Sequence, residues 1–202
     1  DPDLLDAALS GKTALVVGPG LSTQAGCAAL LDRLLAVDLP AVLDADALNL
    51  LAMRPAARRV AGPRRILTPH PGEAARLLAT TAAAVQADRV AALEGLVAAT
   101  GAVVVLKGAG TLVGAPDGRV AVCAAGGPAL ATAGTGDVLA GIAGALVARG
   151  VAPFAAACAA VQLHARAGDA GASARTEHGL TASDLVALVP ETLAGLAPRE
   201  GP

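Results

Sequence analysis

At 202 residues and 19.4 kDa the chain fits one domain with one sizeable core. Hydrophobic residues make up 54% and charged residues 16%, which excludes wholesale disorder. Fifteen basic against seventeen acidic groups exclude capture of nucleic acid or an anionic membrane by bulk charge, and the single Phe (Phe154), with no Trp or Tyr, excludes base stacking on aromatic platforms.

The core therefore has to be built from Ala, Val, Leu and Ile. Cys27, Cys123 and Cys158 are odd in number and widely spaced, which argues against a disulfide framework or a structural zinc site and for a reduced interior. The acidic opening Asp1-Pro2-Asp3-Leu4-Leu5-Asp6 has no signal-peptide pattern, and Gly, Pro or charge interrupts every apolar run before membrane-spanning length. The expectation is a soluble cytoplasmic protein.

In chain order, apolar strand candidates at Thr13–Val17, Pro40–Leu43, Arg65–Leu67 and Ala102–Leu106 alternate with helix candidates at Ser22–Val37, Ala47–Met53, Gly72–Ala79 and Ala82–Thr100. Strands apolar throughout suit a sheet covered on both faces. Thr111–Val113 and Arg119–Cys123 flank Ala115-Pro116-Asp117-Gly118, a turn sequence that predicts a hairpin. Helices follow at Gly136–Arg149, Pro153–Ala174 and Thr181–Leu193. No linker or repeat interrupts the chain, so the pattern predicts one α/β domain, residues 1–202, with a layered and mostly parallel sheet.

Four strand-end segments carry chemistry. Gly126-Gly127-Pro128-Ala129-Leu130-Ala131-Thr132-Ala133-Gly134-Thr135-Gly136-Asp137 runs into an apolar helix. Glycines 134 and 136 permit close backbone approach, and the helix start favours a phosphate at Gly134, Thr135 and Gly136. Asp137, in the first turn, reads either as a cap or as a carboxylate that accepts a proton from an attacking hydroxyl. In Thr68-Pro69-His70-Pro71-Gly72-Glu73, His70 is placed to hydrogen-bond a substrate. Glu73 is placed to orient a metal-bound water, or else simply to complement the helix start. Lys107, at the end of the most apolar strand, needs an anion, either a nucleotide phosphate or a carboxylate. Gly18-Pro19-Gly20-Leu21-Ser22 and Asp44-Ala45-Asp46-Ala47-Leu48-Asn49 are polar-ligand-competent turns; Asp44 and Asp46 could bind a metal or cap a helix. His164 and His178 have no partner at metal spacing and read as structural. No G-x-S-x-G, H-E-x-x-H or Walker A pattern occurs.

The segments GPGLS, LDADALNLL, LTPHPGEAARLL, VLKGAGT and ATAGTGDVLAGIAGALVARG, in that order from Gly18 toward Asp184, resemble the NAD(P)H-hydrate dehydratase family of ribokinase-like enzymes. The resemblance implies a ribokinase-like sheet with helices on both faces and a β-hairpin. It implies dehydration of the S epimer of hydrated NADH or NADPH, with ADP or ATP as co-substrate and Mg²⁺ as cofactor. Asp137 matches the catalytic aspartate, Lys107, Gly108, Ala109, Gly110, Thr111 and Gly136 match nucleotide-binding positions, and Gly20 and His70, with Asp137, match positions lining the hydrate. It further implies homo-oligomers, tetramers among them, and in some members fusion to an NAD(P)H-hydrate epimerase domain.

Two departures stand out. The approach loop differs from the family pattern at Gly127, Ala129, Leu130 and Ala133, and only seventeen residues precede Gly18, so an amino-terminal βα unit of the family is expected to be missing. Two other readings stay open: a small-molecule kinase of the same fold (hydroxymethylpyrimidine or thiazole type), and a nucleotide-binding module without catalysis.

Overall fold

The computed structural model describes residues 2–54, 62 and 64–196. Its sheet is formed by β1 (Leu15–Val17), β2 (Ala41–Leu43), β3 (Arg65–Leu67), β4 (Val103–Leu106), β5 (Leu112–Gly114) and β6 (Val120–Val122), paired in that spatial order. The first four are parallel, and β5 and β6 fold back antiparallel as the expected hairpin.

Because each parallel strand is the next neighbour of the one before it, right-handed crossovers place all the connecting helices on one face. These are α2 (Cys27–Ala36), α3 (Ala45–Ala52), α4 (Pro71–Leu78), α5 (Ala82–Ala87) and α6 (Arg89–Thr100), preceded by α1 (Pro2–Leu9). After the hairpin, α7 (Thr135–Ala148), α8 (Pro153–Arg175) and α9 (Ala182–Leu196) follow, and α7 and α8 cover the other face.

The period-2 alternation of the strands divides the interior in two. Ala41, Leu43, Leu67, Val104 and Leu106 meet Leu31, Leu48, Leu77, Leu93 and Leu96 on the crossover side. Val42, Ile66, Val103 and Val105 meet Leu139, Ala140, Ala143, Ala156, Ala157 and Ala160 on the other. This second core is alanine-rich because its helices lie close. A Cβ added at Gly144 of α7 would stand 2.3 Å from Val16 Cγ2 of β1. Shortened spacing, rather than bulky aromatic filling, closes this layer.

Two expected helices are redrawn. Ser22–Val37 shortens to α2 because Ser22 (φ 71°) and Gly26 (φ 95°) are left-handed and Cys27 is the first helical residue. Ala82–Thr100 splits into α5 and α6 at Asp88 (φ −142°, ψ 86°), whose carboxylate accepts the Ala91 N–H and restarts the helix. Arg65, buried in β3, donates to the carbonyls of Leu35, Val37 and Leu39 and so satisfies the end of α2. Among the described residues no helix is long and apolar enough to cross a membrane.

Candidate active site

The carboxyl ends of β1 to β4 lie side by side, and their loops continue the ladder. Asp44 N–H donates to Val17 O (3.0 Å), Thr68 N–H to Leu43 O (3.1 Å) and Lys107 N–H to Pro69 O (2.9 Å). Gly18, with φ +128°, is required where the first two loops touch: a Cβ there would lie 1.7 Å from Asp44 O. This packing brings Asp44 and Lys107 together. Lys107 Nζ donates to Asp44 Oδ1 at 2.9 Å and stands 3.9 Å from Glu73 Oε2. Asp44 and Glu73 are both buried. Of the two anions considered for Lys107, the structure shows the carboxylate.

Asp44 occupies the N-cap of α3 but makes no side-chain cap bond, so the simple capping role does not hold for it. Asp46 accepts the Ser22 N–H at 2.9 Å and an Asn49 amide N–H at 3.4 Å. Asp44 thus serves Lys107, while Asp46 serves Ser22 and Asn49.

His70 and Glu73 form a reciprocal cap on α4. His70 Nδ1 accepts from the Gly72 and Glu73 amides (3.0 and 3.4 Å), and Glu73 Oε2 accepts the His70 N–H (2.8 Å). Nδ1 is therefore the acceptor nitrogen, which leaves the neutral ring's proton on Nε2, 3.3 Å from Glu73 Oε1. Burial lowers the proton affinity of His70, and Lys107 and Arg76 lower it further. Burial pushes the Glu73 carboxyl above its ordinary range, against the pull of Lys107.

The first turn of α7 closes the group. Gly134 (φ 86°) is its N-cap, and a Cβ at Gly136 would stand 3.3 Å from Lys107 Nζ and 3.7 Å from Asp44 Oδ2. Glycine at 136 is what lets the helix start approach the ion pair. The Thr135 and Asp137 amides turn back to Thr132 O and Gly134 O, and the Gly136 amide has no acceptor among the described residues. Thr135 is buried, its hydroxyl donating to Leu130 O (2.7 Å) and Thr132 O (2.8 Å), so its side chain shapes the loop rather than facing outward. Asp137 is exposed at the third helical position, and its carboxylate has no hydrogen-bond donor among the described residues. It is not spent as a cap.

A cavity of about 580 Å³ opens beside this cluster, within the usual range for small-molecule sites. Its walls are Lys107, Gly108, Ala109, Gly110 and Thr111 on one side, and Gly126–Pro128, Thr132, Thr135 and Gly136 on the other, with His70 at one end. Gly20, Glu73, Gly134 and Asp137 are outside the lining. A model of the NAD(P)H-hydrate dehydratase family matches residues 4–191.

The chain belongs to that family. An ADP-dependent (S)-NAD(P)H-hydrate dehydratase from Neisseria meningitidis is 52% identical over 160 residues, covering 77% of this chain and 54% of the relative. A bifunctional NAD(P)H-hydrate repair enzyme from Coxiella burnetii is 46% identical over 183 residues, covering 91% of this chain and 37% of that protein. The chain thus spans 37% and 54% of the length of these two curated relatives. The Bacillus subtilis ADP/ATP-dependent NAD(P)H-hydrate dehydratase, co-crystallised with ATP/Mg²⁺ and soaked with CoA, superposes with a TM-score of 0.81 at 31% identity, over 92% of this chain and 67% of that one. A hydroxyethylthiazole kinase from Pyrococcus horikoshii shares the fold, with a TM-score of 0.73 at 18% identity.

Family membership bears on the metal. Among the described residues no group of three or more His, Cys, Asp or Glu side chains could hold an ion. Asp44 and Glu73 are two buried carboxylates at the Lys107 cluster, outside the cavity lining, and carboxylate oxygens are the donor type that suits a Mg²⁺ that keeps several waters and phosphate ligands.

Two contributors escaped the sequence. Arg89, at the start of α6, donates to Leu106 O (3.1 Å), Lys107 O (3.4 Å) and Gly110 O (3.5 Å), clasping the loop that lines the cavity. His164, expected to be structural, is buried as that reading requires, and its Nε2 bonds Thr135 O at 2.8 Å, bracing the first turn of α7 from the cavity wall that it also lines. Neither stands in a motif; only the fold brings them to the site.

Proposed function

We propose that residues 1–202 form one ribokinase-like domain that dehydrates the S epimer of hydrated NADH or NADPH at the expense of ADP or ATP. The observation that carries this reading is the unengaged Asp137 carboxylate beside the Gly134–Gly136 helix start, with Lys107 at 3.3 Å from the Cβ position of Gly136. Adenine nucleotide occupies the 580 Å³ cavity, its phosphates directed to the Gly136 amide and the Lys107–Thr111 loop. Gly20 and His70 line the hydrate on the open side.

Asp137 takes the proton of the ring hydroxyl as its oxygen bonds to the terminal phosphorus, and the nucleotide leaves as AMP or ADP. The amides of the helix start and the Lys107 ammonium balance charge on the transferring group. The phosphorylated ring then loses phosphate, while the adjacent carbon loses a proton, and the double bond of NAD(P)H is restored. Asp44 and Glu73 are the carboxylates that would hold a Mg²⁺ brought by the nucleotide, and the ion would supply neutralisation of phosphate charge.

The test is an incubation with hydrated cofactor and ADP or ATP. Recovery of reduced-cofactor absorbance with stoichiometric free phosphate is expected. A stable phosphorylated product would instead identify a kinase, and nucleotide binding without turnover a non-catalytic module. For the full-length protein the corresponding expectations are an epimerase domain on the same polypeptide and a tetramer in the cytoplasm, checked by the native product's length, by light scattering and by fractionation.

A further inference from the structure

A second cavity, of about 500 Å³, opens beside α3 and α4, lined by Thr23, Asp46, Asn49, Ala52, Met53 and Arg76. No step of the phosphoryl transfer uses it. Its polar wall is a chain of fixed bonds: Arg76 Nε donates to Asn49 Oδ1 at 2.9 Å, Asn49 Nδ2 to Asp46 Oδ1 at 3.4 Å, and Ser22 N–H to Asp46 Oδ2 at 2.9 Å. Both Asp46 oxygens accept a neutral N–H, which fixes the carboxylate in place. Arg76 is exposed, and only its Nε has an acceptor among the described residues, so both Nη groups keep their hydrogens for a ligand. Met53, the chain's single Met, is 68% exposed and forms an apolar ledge on the same wall.

This wall is continuous with the catalytic cluster. Arg76 Nη1 and His70 Cε1 stand 3.9 and 2.8 Å from the position a Cβ on Gly72 would take, so guanidinium and imidazole flank one turn of α4. A hydrated dinucleotide is much longer than the ring that reacts, and its phosphates need countercharge. Lys107 is engaged by Asp44 on the nucleotide side. Arg76 is an oriented cation beside His70 whose Nη groups have no acceptor among the described residues, and so is placed for the hydrate's own phosphates.

We infer that Arg76, held by Asn49, binds a phosphate group of the hydrated dinucleotide in this second cavity. The inference rests on the dehydratase reading above. Arginine suits the role because its fork presents two parallel N–H groups to a phosphate while Nε stays anchored.

The test compares hydrated reduced dinucleotide with hydrated reduced nicotinamide riboside, which has the reacting ring and no phosphate. The ratio of the two kcat/KM values is expected to fall about tenfold or more in Arg76→Ala, the scale of one charge-assisted hydrogen-bonded contact, and to recover in part in Arg76→Lys. ADP titration by calorimetry verifies that each variant is folded. Should Arg76→Ala fail to fold, the wild-type protein still decides: added salt should raise the dinucleotide KM and spare the riboside KM. An effect common to NADH and NADPH hydrates assigns the pyrophosphate, and one confined to NADPH hydrate assigns the 2′-phosphate. A ratio unchanged by substitution, or equal salt responses, overturns the inference alone. No turnover of either hydrate by wild type overturns it together with the dehydratase reading.

Discussion

Lys107 Nζ lies 2.9 Å from Asp44 Oδ1, and a Cβ on Gly136 would stand 3.3 Å from that Nζ and 3.7 Å from Asp44 Oδ2, so one glycine, one cation and one buried carboxylate meet at the start of α7. Lys107→Ala would leave Asp44, 1% exposed, as a buried charge without its ammonium. A stability loss of about 3 kcal/mol is expected in chemical unfolding. Weaker ADP binding is expected beside it, and calorimetry below the unfolding transition separates the two; ADP affinity equal to wild type would reduce Lys107 to a structural ion pair.

Asp137→Asn retains the shape of the first turn and loses the proton acceptor. Turnover is expected to drop roughly 10²-fold or more, with ADP affinity close to wild type. Turnover within a few-fold of wild type would remove Asp137 from the chemistry.

Arg89→Ala cuts three bonds to carbonyls of the 106–110 loop without touching the cavity lining. ADP should bind about tenfold more weakly, while kcat at saturating ADP falls much less, because the lost bonds organise the loop rather than the reacting atoms. A kcat loss as large as the affinity loss would contradict that division.

His70 and His164 both hold their protons less tightly than the ordinary value of 6.5, chiefly through burial. As pH falls through 6.5 the unfolded imidazoles protonate while the folded ones resist, so the unfolded state binds more protons. Stability is therefore complete above pH 6.5 and declines as pH drops toward the depressed native values. His164→Gln, which can still donate to Thr135 O, should show a shallower decline in urea unfolding across that window. A slope matching wild type would mean that His164 contributes nothing to acid sensitivity.

The four parallel strands are legible because they are apolar nearly throughout and each is followed by a glycine-, proline- or acid-rich turn. The same rule puts His70, Lys107 and Gly136 at strand or helix ends, and only the fold makes those ends neighbours. The break at Asp88 was not legible, since the Ala/Val/Leu pattern runs straight across it and the carboxylate that restarts the helix looks like any surface acid. The Asp44–Lys107 pair spans 63 positions and the Arg89 clasp 17 to 21, separations that no local pattern reports. Thr135 reads as part of a phosphate site through the loop amides of residues 134–136, and what the pattern does not report is that its hydroxyl is engaged with carbonyls of the loop itself.

Gly144 sits two turns along α7 from the residues proposed to meet phosphate, against Val16 at the edge of the sheet. A helix transmits displacement along its axis with little give. One methyl group added at 144 would lift the rod off β1 and tilt its far tip away from Lys107. The aim of the proposed phosphate grip is thus calibrated by an absent side chain remote from the cavity, and screens for damaging substitutions should include that contact alongside the cavity itself.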